Sequence, residues 1–241
     1  GVRLRLERAT RLDRELHDPQ GAITELTLAA EEVVQLGLSD QRHSLQSIHA
    51  RLAKVYRANG DYPALARSLA ELAELNPDPA VSARLYAERA RVAADDLQDR
   101  ELAVSSYRSS LERQANPEVF GKLSAYCREQ ALWDDLVQAL SAQAAQASDL
   151  QERIRLHEDT ARVLSEHQGR LLESIEQWEE VLRLDPVHEP AFLALNQLTL
   201  AVNQPIARRR FLERELNLLS RGDQLERLCQ CALELADLCQ E

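Results

Sequence analysis

Laid over itself at an offset of 71 residues, this chain meets its own pattern. Arg84-Leu85 falls on Arg155-Leu156, Ala90-Arg91-Val92 on Ala161-Arg162-Val163, Tyr107 on Trp178 and Leu111 on Leu182. At an offset of 81, Arg8-Ala9 falls on Arg89-Ala90, Leu16 on Leu97, Asp18 on Asp99, Ala22 on Ala103 and Ile23 on Val104. At 72, Phe120 falls on Phe192 and Leu123 on Leu195. An offset near 71 is two units of roughly 36 residues, the period of a helical hairpin repeat. A unit that small cannot bury its apolar face alone, so the repeats must stack and share one core.

The prolines mark the joints. They stand at 19, 63, 77, 79, 117, 186, 190 and 205. Proline is tolerated in the first turn of a helix and expelled from its interior. Between the joints, apolar residues recur at three and four, as in Leu45, Ile48, Leu52, Val55 and Tyr56. The pattern predicts helices over 2–16, 19–36, 41–59, 62–75, 80–97, 99–115, 118–130, 132–147, 150–167, 170–184, 188–202, 205–220 and 223–240. That is six hairpins and a thirteenth, unpaired helix. A small residue at the middle of each first helix lets two backbones approach, and the series reads Ala9, Ala53, Ala90, Ala125, Ala161, Ala194 and Ala232. The surplus in the first spacing is placed around Gly37-Leu38-Ser39-Asp40. One large aromatic per unit, such as Tyr107 or Trp178, fills the wider gap further along.

These residues carry a resemblance. Leu52-Ala53-x-x-Tyr56-x-x-x-Gly60-Asp61-Tyr62, closing at Leu75-Asn76-Pro77, resembles a tetratricopeptide repeat. Ser174-Ile175-x-x-Trp178-x-x-Val181-Leu182-x-x-Asp185-Pro186 is similar to the second helix and exit of such a repeat. The chain departs from the pattern at an extra turn residue in Leu97-Gln98-Asp99 and lacks Trp at the start of its first helices, which leaves a Sel-like solenoid as a neighbouring reading. The expected fold is all-α, a right-handed α-α superhelix in one domain over 1–241, read as a fragment of a larger protein.

Composition narrows the field of functions. Aromatics are 4% of the chain and glycines number 7 in 241, which disfavours sandwiches and barrels. The formal net charge of −11 disfavours binding to nucleic acid, which rests on neutralising phosphates. The acidic excess is spread along the chain without a charged tail. No run of apolar residues is long enough to span a membrane, and no signal-peptide core is present. The expected location is cytoplasmic. Methionine is absent, and only Lys54 and Lys122 among 29 basic residues are lysine. The first suggests an excised or processed chain, and the second a G+C-rich, bacterial source.

The sequence offers little for catalysis, and the expectation is a protein that is not an enzyme and binds no cofactor or metal. It holds no Walker, Rossmann, HExxH or GxSxG motif. Cys229 and Cys231 point about 200° apart on a helix, so they share no metal ion. With Cys127 and Cys239 they read as small buried hydrophobes and suggest a reducing compartment. His157 and His167 are three helical turns apart, too far for one ion. Glu173, Glu176, Glu179 and Glu180 with Arg170 and Arg183 read as a solvated, ion-paired face. Arg208-Arg209-Arg210 reads as a solvated basic turn. Leu225, Leu228, Cys229, Ala232, Leu235 and Ala236 form a face of the last helix that an absent neighbour would cover.

The most informative polar pattern is on the first helices, which line the concave groove in tetratricopeptide-like solenoids. Beside the small residues stand Lys54 and Arg57, Arg84 and Arg91, Arg155 and Arg162. They are either exposed arginines of no special role or a groove for an acidic or C-terminal peptide, whose carboxylates fit the arginine fork. The carboxylate clamp that some family members use for chaperone tails also needs asparagines, and none stands at the matching places. The reading is a non-catalytic interaction scaffold whose partner is a protein or peptide. The alternatives are a structural or regulatory arm of a larger protein, an enzyme with an unrecognised site, and an RNA-binding helical repeat.

Overall fold

The computed structural model describes residues 1–37, 40–202, 205–219 and 225–238. Its elements are thirteen α-helices: α1 (Val2–Arg14), α2 (Pro19–Leu36), α3 (Gln41–Asn59), α4 (Tyr62–Leu75), α5 (Pro79–Val92), α6 (Arg100–Arg113), α7 (Pro117–Glu129), α8 (Trp133–Gln146), α9 (Leu150–Glu166), α10 (Leu171–Leu184), α11 (Glu189–Val202), α12 (Pro205–Leu219) and α13 (Leu225–Leu238). Among the described residues there is no strand, so the all-α expectation holds. The helices form two compact units, residues 1–130 and 131–241. The extensive contacts in each run between helices adjacent in the chain, as in a stack of hairpins.

Local chemistry explains where the helices begin. Asp18, Asp61, Asp78, Asp99 and Asp149 each accept a hydrogen bond from a first-turn N–H, and Asn116 does the same for α7. Pro19, Pro63, Pro79 and Pro117 lie in the first turns that these caps open.

Four of the hairpin tips among the described residues close in two lengths. In α1/α2, α5/α6 and α9/α10, the tip closes six residues back: Asp18 N–H donates to Leu12 O, Asp99 N–H to Ala93 O and Arg170 N–H to Leu164 O. Each closure follows a left-handed residue, His17, Gln98 or Gly169. In α5 the longer tip is reached through a π-helical turn, Ala93–Leu97, which takes up the extra residue noted in the sequence. In α3/α4 the tip is one residue shorter, with Asp61 N–H donating to Tyr56 O after Gly60 at φ 70°. A Cβ on Gly60 would meet open space, so Gly60→Ala costs only the left-handed strain. That variant is expected to lose about 1 kcal/mol, read as a lower thermal unfolding midpoint.

Small residues set the helix spacing. Ala9 with Ala22, Ala90 with Ala103, and Ala161 with Ser174 are all buried at matching positions of three hairpins. The approach is close enough for Ser174 Oγ to donate to Ala161 O at 2.8 Å, and Ser110 Oγ to Ala83 O at 2.7 Å. Tyr107 and Trp178 are buried in α6 and α10, as the repeat requires. The small-residue series slips at three places. Ala125 and Ala232 are exposed, with Ser124 and Cys231 buried beside them, and Ala194 is half-buried. Beside Ala125 and Ala232 a neighbouring small residue satisfies the same approach, so there the pattern shifts by one position, whereas Ala194 stands between Leu193 and Leu195.

The second unit corrects two readings of the sequence. Arg208 is not part of a solvated turn. It is buried, forks onto Glu234 at 2.7 and 3.0 Å, and donates to Asn196 Oδ1 at 2.7 Å and Thr199 Oγ1 at 3.2 Å. Its guanidinium lies 5.3 Å from the Phe211 ring centroid. Cys127 and Cys231 are buried as expected, but Cys229 is exposed. Leu235 packs against the core, whereas Ala232 and Ala236 are exposed. Cys239 and the turn residues Leu38 and Ser39 lie outside the described residues, as do the side chains of Leu225 and Leu228.

Candidate functional site

In the first unit polar contacts join not only neighbouring helices but also alternate ones, α3 with α1 and α5 in an odd layer and α4 with α6 in an even layer. The odd-numbered helices are cross-linked: Arg51 Nη1 on α3 donates to Leu6 O and Thr10 Oγ1 on α1, and Arg57 on α3 pairs with Glu88 on α5. Even-numbered helices are linked likewise, with Arg113 on α6 pairing with Glu74 on α4 at 2.7 Å. The Tyr86 hydroxyl reaches Glu74 from α5. That hydrogen bond first, and Arg113 second, hold the Glu74 carboxyl below its ordinary range.

Charge divides along the same layers. Helix α3 carries Arg42, Arg51, Lys54 and Arg57 and no acidic residue. Helix α1 sets five arginines against Glu7 and Asp13, and α5 sets Arg84, Arg89 and Arg91 against Glu88. Helix α2 is the reverse, with Glu25, Glu31 and Glu32 and no base, and α4 sets Arg67 against Glu71 and Glu74. The alternation runs over α1–α5 only, since α6 sets Arg100, Arg108 and Arg113 against Glu101 and Glu112 and α7 is balanced. Arg5 and Arg8 of α1 are paired with Glu25 and Glu32 of α2.

The structure places the six basic residues singled out in the sequence as follows. Lys54, Arg57, Arg84 and Arg91 are exposed on the odd layer of the first unit. Lys54 and Arg57 belong to one exposed stripe of α3, together with Ser47, Ala50 and Arg51. On α5 the corresponding stripe is Arg84 and Arg91, both exposed, with Glu88 half-buried between them. Lys54, Arg84 and Arg91 have no carboxylate within ion-pair distance among the described residues, whereas Arg57 is held by Glu88. Arg155 and Arg162 are exposed on α9 in the second unit. There the helix also carries Glu152, Glu158, Asp159 and Glu166, and Arg162 lies 3.8 Å from Glu158 and 4.0 Å from Asp159. Arg162 also sits 6.0 Å from the Trp178 ring centroid.

A pocket of about 250 Å³ opens between α1 and α3 on the odd layer. Its floor is apolar, formed by the buried side chains of Ala9, Leu26 and Val55. Arg14, Arg51 and Lys54 stand at its rim with Thr10 and Asp13. Sequence reasoning found Lys54 and missed Arg14 and Arg51. The available signal was the run of four bases without an acid in α3. His49, on the same helix, has a partly buried ring whose pKa is lowered by desolvation, against the pull of Glu71.

Elsewhere, the acidic face of α10 is ion-paired as expected, Glu173 with Arg170 and Glu180 with Arg183. His157 Nδ1 lies 2.8 Å from Gln177 Oε1, and the His167 ring stacks on Trp133 at 3.8 Å. Among the described residues, no group of three His, Cys, Asp or Glu side chains is placed to hold a metal ion. None of the described helices is long and apolar enough to cross a membrane.

No protein-family model matches the chain, and no curated protein matches it. Solved structures similar to it include several of tetratricopeptide repeat proteins. The TPR2AB domain of yeast Sti1, solved with pHSP90, is 14% identical over 99% of this chain and 98% of that one, at a TM-score of 0.35. Part of a repeat protein from Cytophaga hutchinsonii is 13% identical over 92% and 80%, at 0.37. PilF of Pseudomonas aeruginosa is 21% identical over 83% and 86%, at 0.34. These likenesses say nothing about a ligand.

Proposed function

We propose that this chain is a non-catalytic interaction module that binds an acidic protein segment on the odd-helix layer of its first unit. The observation that carries this is the sorting of charge by layer: α1, α3 and α5 are basic inside an acidic chain. Lys54, Arg57, Arg84 and Arg91 are the contact residues. Arg155 and Arg162 stand at the repeat-equivalent positions of Arg84 and Arg91 on α9 of the second unit and form a separate proposed contact pair there, in a field weakened by their acidic neighbours. Exposed bases on a rigid helical layer steer an acidic partner and fix its register. A repeat stack offers many such contacts at once, each weak and together selective.

The test is binding of labelled polyglutamate, followed by fluorescence anisotropy at several salt concentrations. The native chain is expected to bind with an affinity that falls as salt rises. Replacing Lys54, Arg57, Arg84 and Arg91 together by Glu is expected to weaken binding by about a hundred-fold, that is about 2.7 kcal/mol. Equal binding by that variant rules the face out.

A further inference from the structure

Two even-numbered helices of the second unit carry a face that the proposed function leaves unused. Helices α10 and α12 stand side by side: Arg210 Nη1 lies 3.5 Å from Glu179 Oε2, and Arg214 Nη1 donates to the Glu179 backbone O at 3.4 Å. An open groove of about 780 Å³ runs between them over the buried side chain of Leu182. We infer that this face binds a second copy of the chain, with α10 of each copy lying along α12 of the other.

Register is the first argument. One stripe of α10 reads Leu172, Glu176, Glu180 and Arg183, and one stripe of α12 reads Ile206, Arg210, Arg214 and Asn217. The two match position for position at an offset of 34 residues. All but the two apolar residues line the groove, and Leu172 and Ile206 are exposed at its end. Helix α11 runs back between α10 and α12, so these two point the same way. The contacts of Glu179 with both Arg210 and Arg214 set them level, and matched positions lie side by side.

Symmetry is the second argument. A two-fold axis along the groove turns α10 onto the partner's α12 and keeps every residue at its own level. Leu172 then meets the partner's Ile206, Glu176 the partner's Arg210 and Glu180 the partner's Arg214, each contact occurring twice. An axis across the groove would lay α10 on the partner's α10, acid on acid.

Charge is the third. Among the described residues, Glu176 has no base within ion-pair distance and Arg214 has no carboxylate within it. The dimer gives each of them a partner. Glu179 comes level with the partner's Glu213, but Arg210 and Arg209 already pair with these two within each copy. Helices of 14 and 15 residues are about 21 Å long, so the face is small and the dimer a transient, salt-sensitive one.

Sedimentation equilibrium tests the inference, at chain concentrations up to about 100 µM because a small face binds weakly. The native chain is expected to approach the mass of two chains, and added salt to shift it back toward one. Glu176→Arg and Arg210→Glu are each expected to weaken dimerisation by about a hundred-fold, since the two-fold repeats each reversed contact. Mixed in equal amounts, the two variants are expected to regain dimer, because one contact is then native and the other is native with its charges exchanged. Recovery on mixing also shows that both variants fold. A native chain that stays monomeric overturns the inference and leaves the face to some other partner. Variants that dimerise like the native chain overturn it too, as does mixing without recovery. Tighter pairing of Glu176→Arg with the native chain than of the native chain with itself places α10 on α10 and also overturns it.

Discussion

Trp178→Ala is expected to destabilise the second unit by about 3–5 kcal/mol, the cost of emptying a large aromatic site in a packed core. Trp178 is 4% exposed and sits in one cluster with Ile154, Ala161, Ile175 and Leu182. Those residues come from α9 and α10, so the indole fills the space that the close contact of Ala161 and Ser174 opens further along the hairpin. The backbones are pinned there by the Ser174 hydrogen bond and cannot collapse into the vacancy. The variant also removes the ring beneath Arg162. Amide exchange should speed up first in α9, α10 and α11, because repeat helices draw their stability from adjacent neighbours. A loss under about 1 kcal/mol would mean that the hairpin closes over the gap, contrary to the spacing argument.

The second large effect is expected at Arg208. Arg208→Met keeps most of the aliphatic stem and removes the guanidinium. Asn196 Oδ1, Thr199 Oγ1 and the Glu234 carboxylate then lose a shared donor. Asn196 is half-buried, the Glu234 carboxylate reaches water and Thr199 Oγ1 keeps its bond to Leu195 O, so a loss of about 1–2 kcal/mol is expected. Arg209→Met is the internal control. Its side chain is 55% exposed beside Glu213, and exposed pairs contribute about 0–1 kcal/mol. Denaturant unfolding of the two variants should separate them clearly. Equal midpoints would show that the Arg208 fork adds nothing to the junction of α11, α12 and α13.

These two sites also show what a sequence discloses. Trp178 was legible, because the 71-residue offset aligns it with Tyr107 and helical periodicity puts it on a buried face. Helices α2, α3 and α4 fall on the expected bounds, since Asp caps, early prolines and left-handed glycines act locally. Arg208 was not legible. Its partner Glu234 is 26 residues away, and three adjacent arginines look alike until the fold buries one of them. The slips at Ala125 and Ala232 have another cause: serine or cysteine next door is small enough to take the same place. Of the candidate site, Lys54 was visible and the pocket was not, because Ala9 and Val55 meet only when α1 and α3 pack together. The charge layering escaped notice because it alternates from helix to helix, and any long window averages it away.

The two tip lengths carry a consequence for how such a chain can grow. Inserting a residue within a helix turns every later side chain by about 100° and carries the apolar stripe off its neighbour. At the tips the same insertion is absorbed, since closure from five residues back and closure from six deliver the next helix to its cap alike, as Asp61 and Asp99 show. Length changes therefore accumulate where they leave burial untouched, and repeats of unequal length can remain interchangeable building blocks.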